Sequence, residues 1–208
     1  MHVLVPSCDF PSKSKMHVAT AQALEHQPKK PFAKQCHRFV FYTDGSAKNS
    51  LASWSSILLV QSPDGEDQVV GWYGGKVGDP FSIFSDPRGT NNEGELEALL
   101  WTLLVIVKLH EVYPCASFTI LSDSLLGVLQ SEGEAHAGGH VQQVAGTLST
   151  LFNVCKQVCH VDIAHVYGHS HNAWNELADI TAKEILGGEL SAVFPFSEGA
   201  SLLEKCPP

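Results

Sequence analysis

The sequence has few positive charges in its central part and no long hydrophobic run. Between residues 36 and 188, seven Lys or Arg side chains face seventeen Asp or Glu, and the whole 208-residue chain carries a net charge of -9. Such a domain attracts phosphate backbones poorly, because nucleic-acid affinity comes largely from cationic contacts. No apolar run approaches the roughly 18 residues of a membrane helix, and a signal-peptide segment is missing. The six cysteines are scattered, a pattern that does not indicate a disulfide scaffold. We therefore expect an intracellular protein without a membrane span, in the cytoplasm or the nucleus.

Composition divides the chain into three regions. Residues 1–36 contain Lys and Pro in segments such as HQPKKPFAK and predict a flexible arm. Residues 37–188 contain periodic apolar segments separated by turn signals, and they predict one domain. Residues 189–208 predict a C-terminal tail.

Apolar periodicity predicts an α/β domain with the element order βββαβααβα. Three successive strands, at 38–43, 53–61 and 68–77, suggest an antiparallel meander. A long helix begins near the pair Asn91 and Asn92, either of which could cap it. The later strands alternate with helices, so we expect them to run parallel to the first strand. The prediction is a five-stranded mixed sheet with helices on both faces.

The segment FVFYTDGSA places Asp44 directly after an apolar strand. An Asp-Gly pair often forms a tight hairpin, but this requires a second strand at once, and the small polar segment SAKNSLAS follows instead. We therefore expect the strand to end at Asp44 and to be followed by a loop of small residues. A rigid strand end is a common position for a functional side chain.

Other acidic residues are predicted to gather near Asp44. Asp123 follows the fourth strand, Glu95 lies in the first turn of the long helix, and Asp179 lies in the last helix. Carboxyl ends of neighbouring strands share one crevice, and converging acids are costly unless a cation neutralises them. Oxygen ligands of this kind suit Mg²⁺ or Mn²⁺, and two such ions about 3.5 to 4 Å apart can clamp a phosphodiester. We expect Glu97 and Glu93, each two residues from Glu95, to face outward.

Four motifs occur in the order and roughly the spacing of ribonuclease H: YTDGSA, GTNNEGELEAL, LSDS and HVYGHSHNAWNELADITAK. The chain resembles that family from about residue 38 to 186. The resemblance implies that Asp44, Glu95, Asp123 and Asp179 bind two Mg²⁺ ions, with Mn²⁺ as a substitute. It also implies hydrolysis of the RNA strand of an RNA/DNA hybrid, with 5′-phosphate and 3′-hydroxyl products.

The resemblance further implies roles for residues around these acids. His169 matches a mobile-loop histidine associated with proton transfer or product departure. Discrimination against DNA requires contacts to the 2′-hydroxyl. Residues expected to bind substrate are Gly45, Ser46, Asn91, Asn92, Ser124 and Asn175. Helix capping is an alternative role for the two helix-start asparagines, and both roles can coexist.

The chain departs from the family in two places, the long segment GDPFSIFSDPRGTNN before the first long helix and a region without basic residues after Asp123. The segment SEGEAHAGGHVQQVAG contains no Lys or Arg, whereas cellular enzymes often carry a basic protrusion there. This favours a monomeric domain that acts when tethered, as beside a reverse transcriptase in a retroelement polyprotein. A free-standing cellular enzyme and a non-catalytic connection or binding module are the alternatives. An integrase or proofreading exonuclease fits the acidic residues less well.

Overall fold

The computed structural model describes residues 37–61, 67–86, 89–135, 138–139, 141–168 and 172–196. In this part of the chain, five strands form one sheet in the order β3-β2-β1-β4-β5. Their bounds are β1 Arg38–Lys48, β2 Leu51–Gln61, β3 Asp67–Lys76, β4 Ser117–Ser122 and β5 His160–His165. Strands β1 to β3 pair antiparallel, whereas β4 pairs parallel with β1 and β5 parallel with β4. The predicted mixed sheet is confirmed.

Four helices connect or follow these strands in the described residues. They are α1 Asn91–Val112, α2 Leu125–Glu132, α3 Val141–Val158 and α4 Ala173–Gly187. The predicted element order is therefore correct. In these same ranges, no helix is both long and apolar enough to cross a bilayer.

Strand β1 is buried on both faces because its side chains alternate between two cores. Phe39 and Phe41 pack in the larger core with residues of α1 and α3, whereas Val40 and Tyr42 pack in the smaller core with residues of α4. Helices thus cover both faces of the sheet. Buried hydroxyls also join α4 to β2, since the Ser55 Oγ donates to a carbonyl oxygen of α4 at 2.7 Å.

The first strand does not end at Asp44, so that expectation is wrong. β1 continues to Lys48, and Asp44 pairs with Ser55 across the hairpin. The turn lies at Asn49 and Ser50, whose φ angles of 54° and 61° are those of a two-residue hairpin turn. The small residues that follow Asp44 belong to the strand, and Gly45 allows α1 to pack closely against it.

The start of α1 also differs from expectation. Thr90 is the N-cap, in place of Asn91 or Asn92, and its N–H donates to the Glu93 Oε2 at 2.6 Å. Glu93 and Glu97 are both buried, so the prediction that they face outward is wrong. Glu93 folds back over the helix end, and Glu97 is covered by the segment between β3 and α1.

Packing continues beyond the predicted boundary at residue 188. Val193 forms two backbone hydrogen bonds with Gly74 of β3, each of 2.9 Å. The Phe194 ring lies 6.0 Å from the Trp54 ring and 5.7 Å from the Trp101 ring. Phe194 therefore belongs to the larger core, whereas Leu190 and Val193 pack against the smaller core. The predicted arm at 1–36 and the rest of the tail lie outside the described residues.

Candidate active site

The pairing of β1 with β4 brings two acids together. The parallel register ends at Thr43 and Ser122. Asp44 and Asp123 are the next residues of their segments, so they lie side by side where β4 stops and β1 continues. Beyond this point, β1 has lost its parallel neighbour and leaves an open edge.

Helix α1 contributes a third acid because its first turn approaches β1 closely. A Cβ atom added to Gly45 would meet the backbone nitrogen of Glu95, and it would lie 2.8 Å from the Gly94 carbonyl carbon and 2.9 Å from the Asn91 carbonyl oxygen. This contact between backbones requires glycine and holds Glu95 next to Asp44. The Asn91 Nδ2 donates to the Glu95 Oε1 at 2.8 Å.

The three carboxylates form a compact group. One oxygen each of Asp44, Glu95 and Asp123 lies within 4.8 Å of the others. Asp44 is 4% and Glu95 6% exposed. Burial raises the pKa of Asp44 far above its usual range, and the neighbouring carboxylates reinforce the shift. Burial and the Asp123 charge raise the pKa of Glu95 to about 8, although a hydrogen bond with Ser124 opposes this. Without a cation, Asp44 and Glu95 therefore resist ionisation.

A divalent cation fits this group by two observations. The donors are carboxylate oxygens, the ligands that Mg²⁺ and Mn²⁺ prefer. The Glu95 Oε2 is buried and has no hydrogen-bond partner, a costly state that a cation would relieve. Among the residues that the structure describes, no other group of three or more His, Cys, Asp or Glu side chains is close enough to hold a metal ion.

Asp179 lies near this group but is not one of its three members. It belongs to α4, lines the same cavity of about 420 Å³, and its charge helps to raise the pKa of Asp44. Its Oδ2 pairs with the Lys183 Nζ at 2.6 Å. The predicted fourth acid is therefore at the site, with a lysine as its present partner.

Asp123 is held by residues of the β5 and α4 segments. The Asn175 Nδ2 donates to the Asp123 Oδ2 at 3.3 Å, and the His165 Nε2 is 3.1 Å from the Asp123 carbonyl oxygen, to which it donates. A Cβ on Gly168 would lie 3.1 Å from the Asp123 carboxylate. Sequence reasoning missed His165, because a histidine at the end of a strand carries no signal for this contact.

The residues expected to bind substrate occupy different positions around the cavity. Ser46, Asn91 and Asn175 line it with the acids. Ser124 caps α2, accepting from the Gly127 N–H at 3.0 Å. Asn92 keeps a buried Oδ1 without a hydrogen-bond partner. Gly45 serves the close packing of β1 and α1. His169 lies outside the described residues.

A larger cleft adjoins the acids. It has a volume of about 930 Å³, and Ala47 and Asn91 line both it and the acidic cavity. Lys48, Thr90 and Gln143 are among its other lining residues. The two cavities therefore meet beside the N-terminus of α1.

Comparison with known proteins agrees with this architecture. The sequence-family model for RNase H matches residues 37–186. The chain belongs to the ribonuclease H family. The match covers the whole sheet, the four helices and the three clustered acids. No curated protein sequence matches the chain.

Solved structures show the same ribonuclease H fold. The N-terminal RNase H domain of Rv2228c from Mycobacterium tuberculosis is 21% identical, with a TM-score of 0.53 over 73% of this chain and 94% of that chain. LC11-RNase H1, isolated from compost by a metagenomic approach and solved with an RNA/DNA hybrid, is 17% identical, with a TM-score of 0.53 over 74% and 99%. A prototype foamy virus protease-reverse transcriptase is 20% identical, with a TM-score of 0.51 over 76% of this chain and 22% of that chain.

Proposed function

We propose that this ribonuclease H domain hydrolyses the RNA strand of RNA/DNA hybrids in a reaction that requires divalent cations. The observation that carries the proposal is the close group of Asp44, Glu95 and Asp123, of which the first two are buried and the third is half-buried, in a cavity that Asp179 also lines. A purely structural role does not account for three such acids, because their mutual repulsion destabilises the fold. The products carry 5′-phosphate and 3′-hydroxyl ends.

Asp44, Glu95 and Asp123, with Asp179 as a fourth ligand, would hold two Mg²⁺ ions, for which Mn²⁺ can substitute. Bound ions would supply Lewis-acid stabilisation of the charge that develops on the phosphate. Asn175 and His165 contribute by fixing Asp123 through its carboxylate and its carbonyl oxygen. His169 is the residue that we propose for proton transfer or product departure.

Recognition of the RNA strand falls to the small polar residues around the acids. Asn91, Asn92 and Ser46 bind the strand across its minor groove, where the 2′-hydroxyl separates RNA from DNA. The exposed position of Asn91 at the cavity supports this role. Gly45, Ser124 and Asn175 complete the substrate-binding set through their positions beside the three acids.

The acidic surface favours a tethered enzyme. The domain at 37–188, on which residues 193 and 194 also pack, acts as an intracellular monomer beside another nucleic-acid-binding domain, such as a reverse transcriptase of a retroelement polyprotein. The fold similarity to part of a foamy virus reverse transcriptase supports this setting. A non-catalytic connection module is the second candidate, and the paucity of cations favours it.

Cleavage of labelled duplexes tests the proposed function. With Mg²⁺ or Mn²⁺, we expect cleavage of an RNA/DNA hybrid, no cleavage of RNA/RNA or DNA/DNA, and 5′-phosphate ends on the RNA products. Asp123→Asn should abolish this activity. Asp162→Asn, which changes an exposed acid on β5, should retain it. Folded wild-type protein that leaves hybrid intact at low salt and high concentration would instead support the non-catalytic module.

A further inference from the structure

Lys183 is a cation within the acidic cavity that neither the metal site nor the substrate contacts described above use. It lies one helical turn after Asp179 on α4, and its Nζ is 2.6 Å from the Asp179 Oδ2. Both residues line the cavity formed by the three clustered acids. Among the described residues that line this cavity, Lys183 has the only basic side chain.

The pair occupies one carboxylate oxygen of the fourth acid. A carboxylate oxygen that accepts from an ammonium group is not free to bind a divalent cation, so Lys183 and the cation compete for Asp179. The lysine side chain is 55% and the aspartate 25% exposed. Exposed ion pairs of this kind are weak, so the ammonium group can leave at little cost.

The released ammonium group is then free to contact an anion that enters the cavity. Lysine side chains are long and flexible and bind phosphates as point charges. Because Lys183 lines the cavity where the scissile phosphate would lie, a substrate phosphate is the partner that this position offers. Binding of an anionic strand and of a cation to Asp179 would both favour the movement of the Lys183 ammonium group from Asp179 to a phosphate.

We propose that Lys183 is an exchangeable counter-ion of the site: it pairs with Asp179 in the metal-free protein, yields this carboxylate to the divalent cation, and then contacts a phosphate of the bound strand. This rests on the proposed function for the identity of the strand. The competition between Lys183 and the cation for Asp179 involves no nucleic acid and does not rest on that function. Lys183 is thus a positioning residue that links cation binding to substrate binding.

A helix pair elsewhere in the protein provides a matched control. Lys108 and Glu111 form an ion pair of 3.1 Å with side-chain exposures of 49% and 59%, and they lie near the opposite end of α1 from Glu95. If Lys183 were only a surface helix pair, Lys183→Met and Lys108→Met would behave alike. The proposal requires them to differ.

Calorimetric titration with Mn²⁺ in the absence of nucleic acid tests the competition. We expect Lys183→Met to bind the cation about 1.5- to 5-fold more tightly than wild type, the factor that corresponds to loss of an exposed ion pair. Lys108→Met should match wild type. In an Asp179→Asn background, Lys183→Met should have no further effect, because the contested carboxylate is absent.

Steady-state cleavage of hybrid tests the proposed contact between Lys183 and a phosphate of the bound strand. Lys183→Met should raise KM with little change in kcat, and it should lower the salt dependence of KM by about one phosphate contact. Tighter cation binding together with weaker substrate binding is a combination that a structural role would not produce. Unchanged or weaker Mn²⁺ affinity in Lys183→Met, or a KM equal to that of wild type, overturns the proposal. If wild type does not cleave hybrid, the proposed function fails, and the calorimetric result still decides the competition.

Discussion

Gly45→Ala should damage both the stability of the protein and its active site. The added methyl group would meet backbone atoms of Asn91, Gly94 and Glu95, and a helix backbone cannot move aside as a flexible side chain can. We expect the free energy of unfolding to fall by about 2–3 kcal/mol, in the upper part of the range for overpacking. This corresponds to a loss of about 4–12 °C in Tm for a domain of this size.

The same substitution should lower activity more than stability alone explains. α1 can relieve the clash by moving away from β1, and this would carry Glu95 away from Asp44. A displacement near 1 Å can reduce kcat by about 100-fold. Hybrid cleavage should therefore be measured well below the Tm of the variant, where the protein is folded.

Gly146→Ala is the matched control for this prediction. Gly146 lies at an exposed position within α3, and a Cβ added there meets nothing within 4 Å. Alanine should stabilise the helix by about 0.5–1 kcal/mol, since it has the higher helix propensity. Urea unfolding followed by tryptophan fluorescence measures both variants. A Gly45→Ala protein as stable and as active as wild type would refute the close-packing account.

Two further predictions concern the buried acids. In the metal-free protein, Tm should fall by at least about 3 °C between pH 5.5 and pH 8. The pKa values of Asp44 and Glu95 are raised in the folded state, to about 8 for Glu95, so the folded state binds more protons than the unfolded chain and its stability decreases as pH rises. Asp44→Asn should reduce the dependence of Tm on pH, and an equal dependence in both proteins would contradict the raised pKa of Asp44. Glu97→Ala should lower the free energy of unfolding by about 1–3 kcal/mol, since Glu97 accepts from the Ser82 Oγ at 2.8 Å and the Ile83 N–H at 3.1 Å. Glu111→Ala, which changes an exposed residue, is the control in the same urea titration. Equal effects of the two substitutions would show that the buried hydrogen bonds of Glu97 do not stabilise the fold.

The sequence predicted the order of elements because the apolar periods are clear in most of them. It also placed Asp44 and Asp123 near each other, since strand-end residues of neighbouring parallel strands share an edge. It misjudged where β1 ends, because Gly45, Ser46 and Ala47 lack the alternating pattern of a strand. That pattern is lost where α1 packs on the strand, and only the tertiary contact explains the choice of small residues.

The positions of single acids were harder to predict. Helical spacing predicts that Glu95 and Glu97 point in different directions. It does not show that the segment between β3 and α1 covers Glu97 and supplies hydrogen bonds to it. The spacing of Asp179 and Lys183 predicts an ion pair equally well on any helix. Its location within the acidic cavity depends on how α4 packs on the sheet, which no local pattern contains.

Calorimetric titration of the wild-type protein with Mg²⁺ and Mn²⁺, beside Asp44→Asn and Asp162→Asn, tests the central claim most directly. The claim is that Asp44, Glu95 and Asp123 form a divalent-cation site. It predicts saturable binding by wild type and by Asp162→Asn, with binding lost in Asp44→Asn. Equal binding by all three proteins, or no binding by the folded wild type, would contradict it.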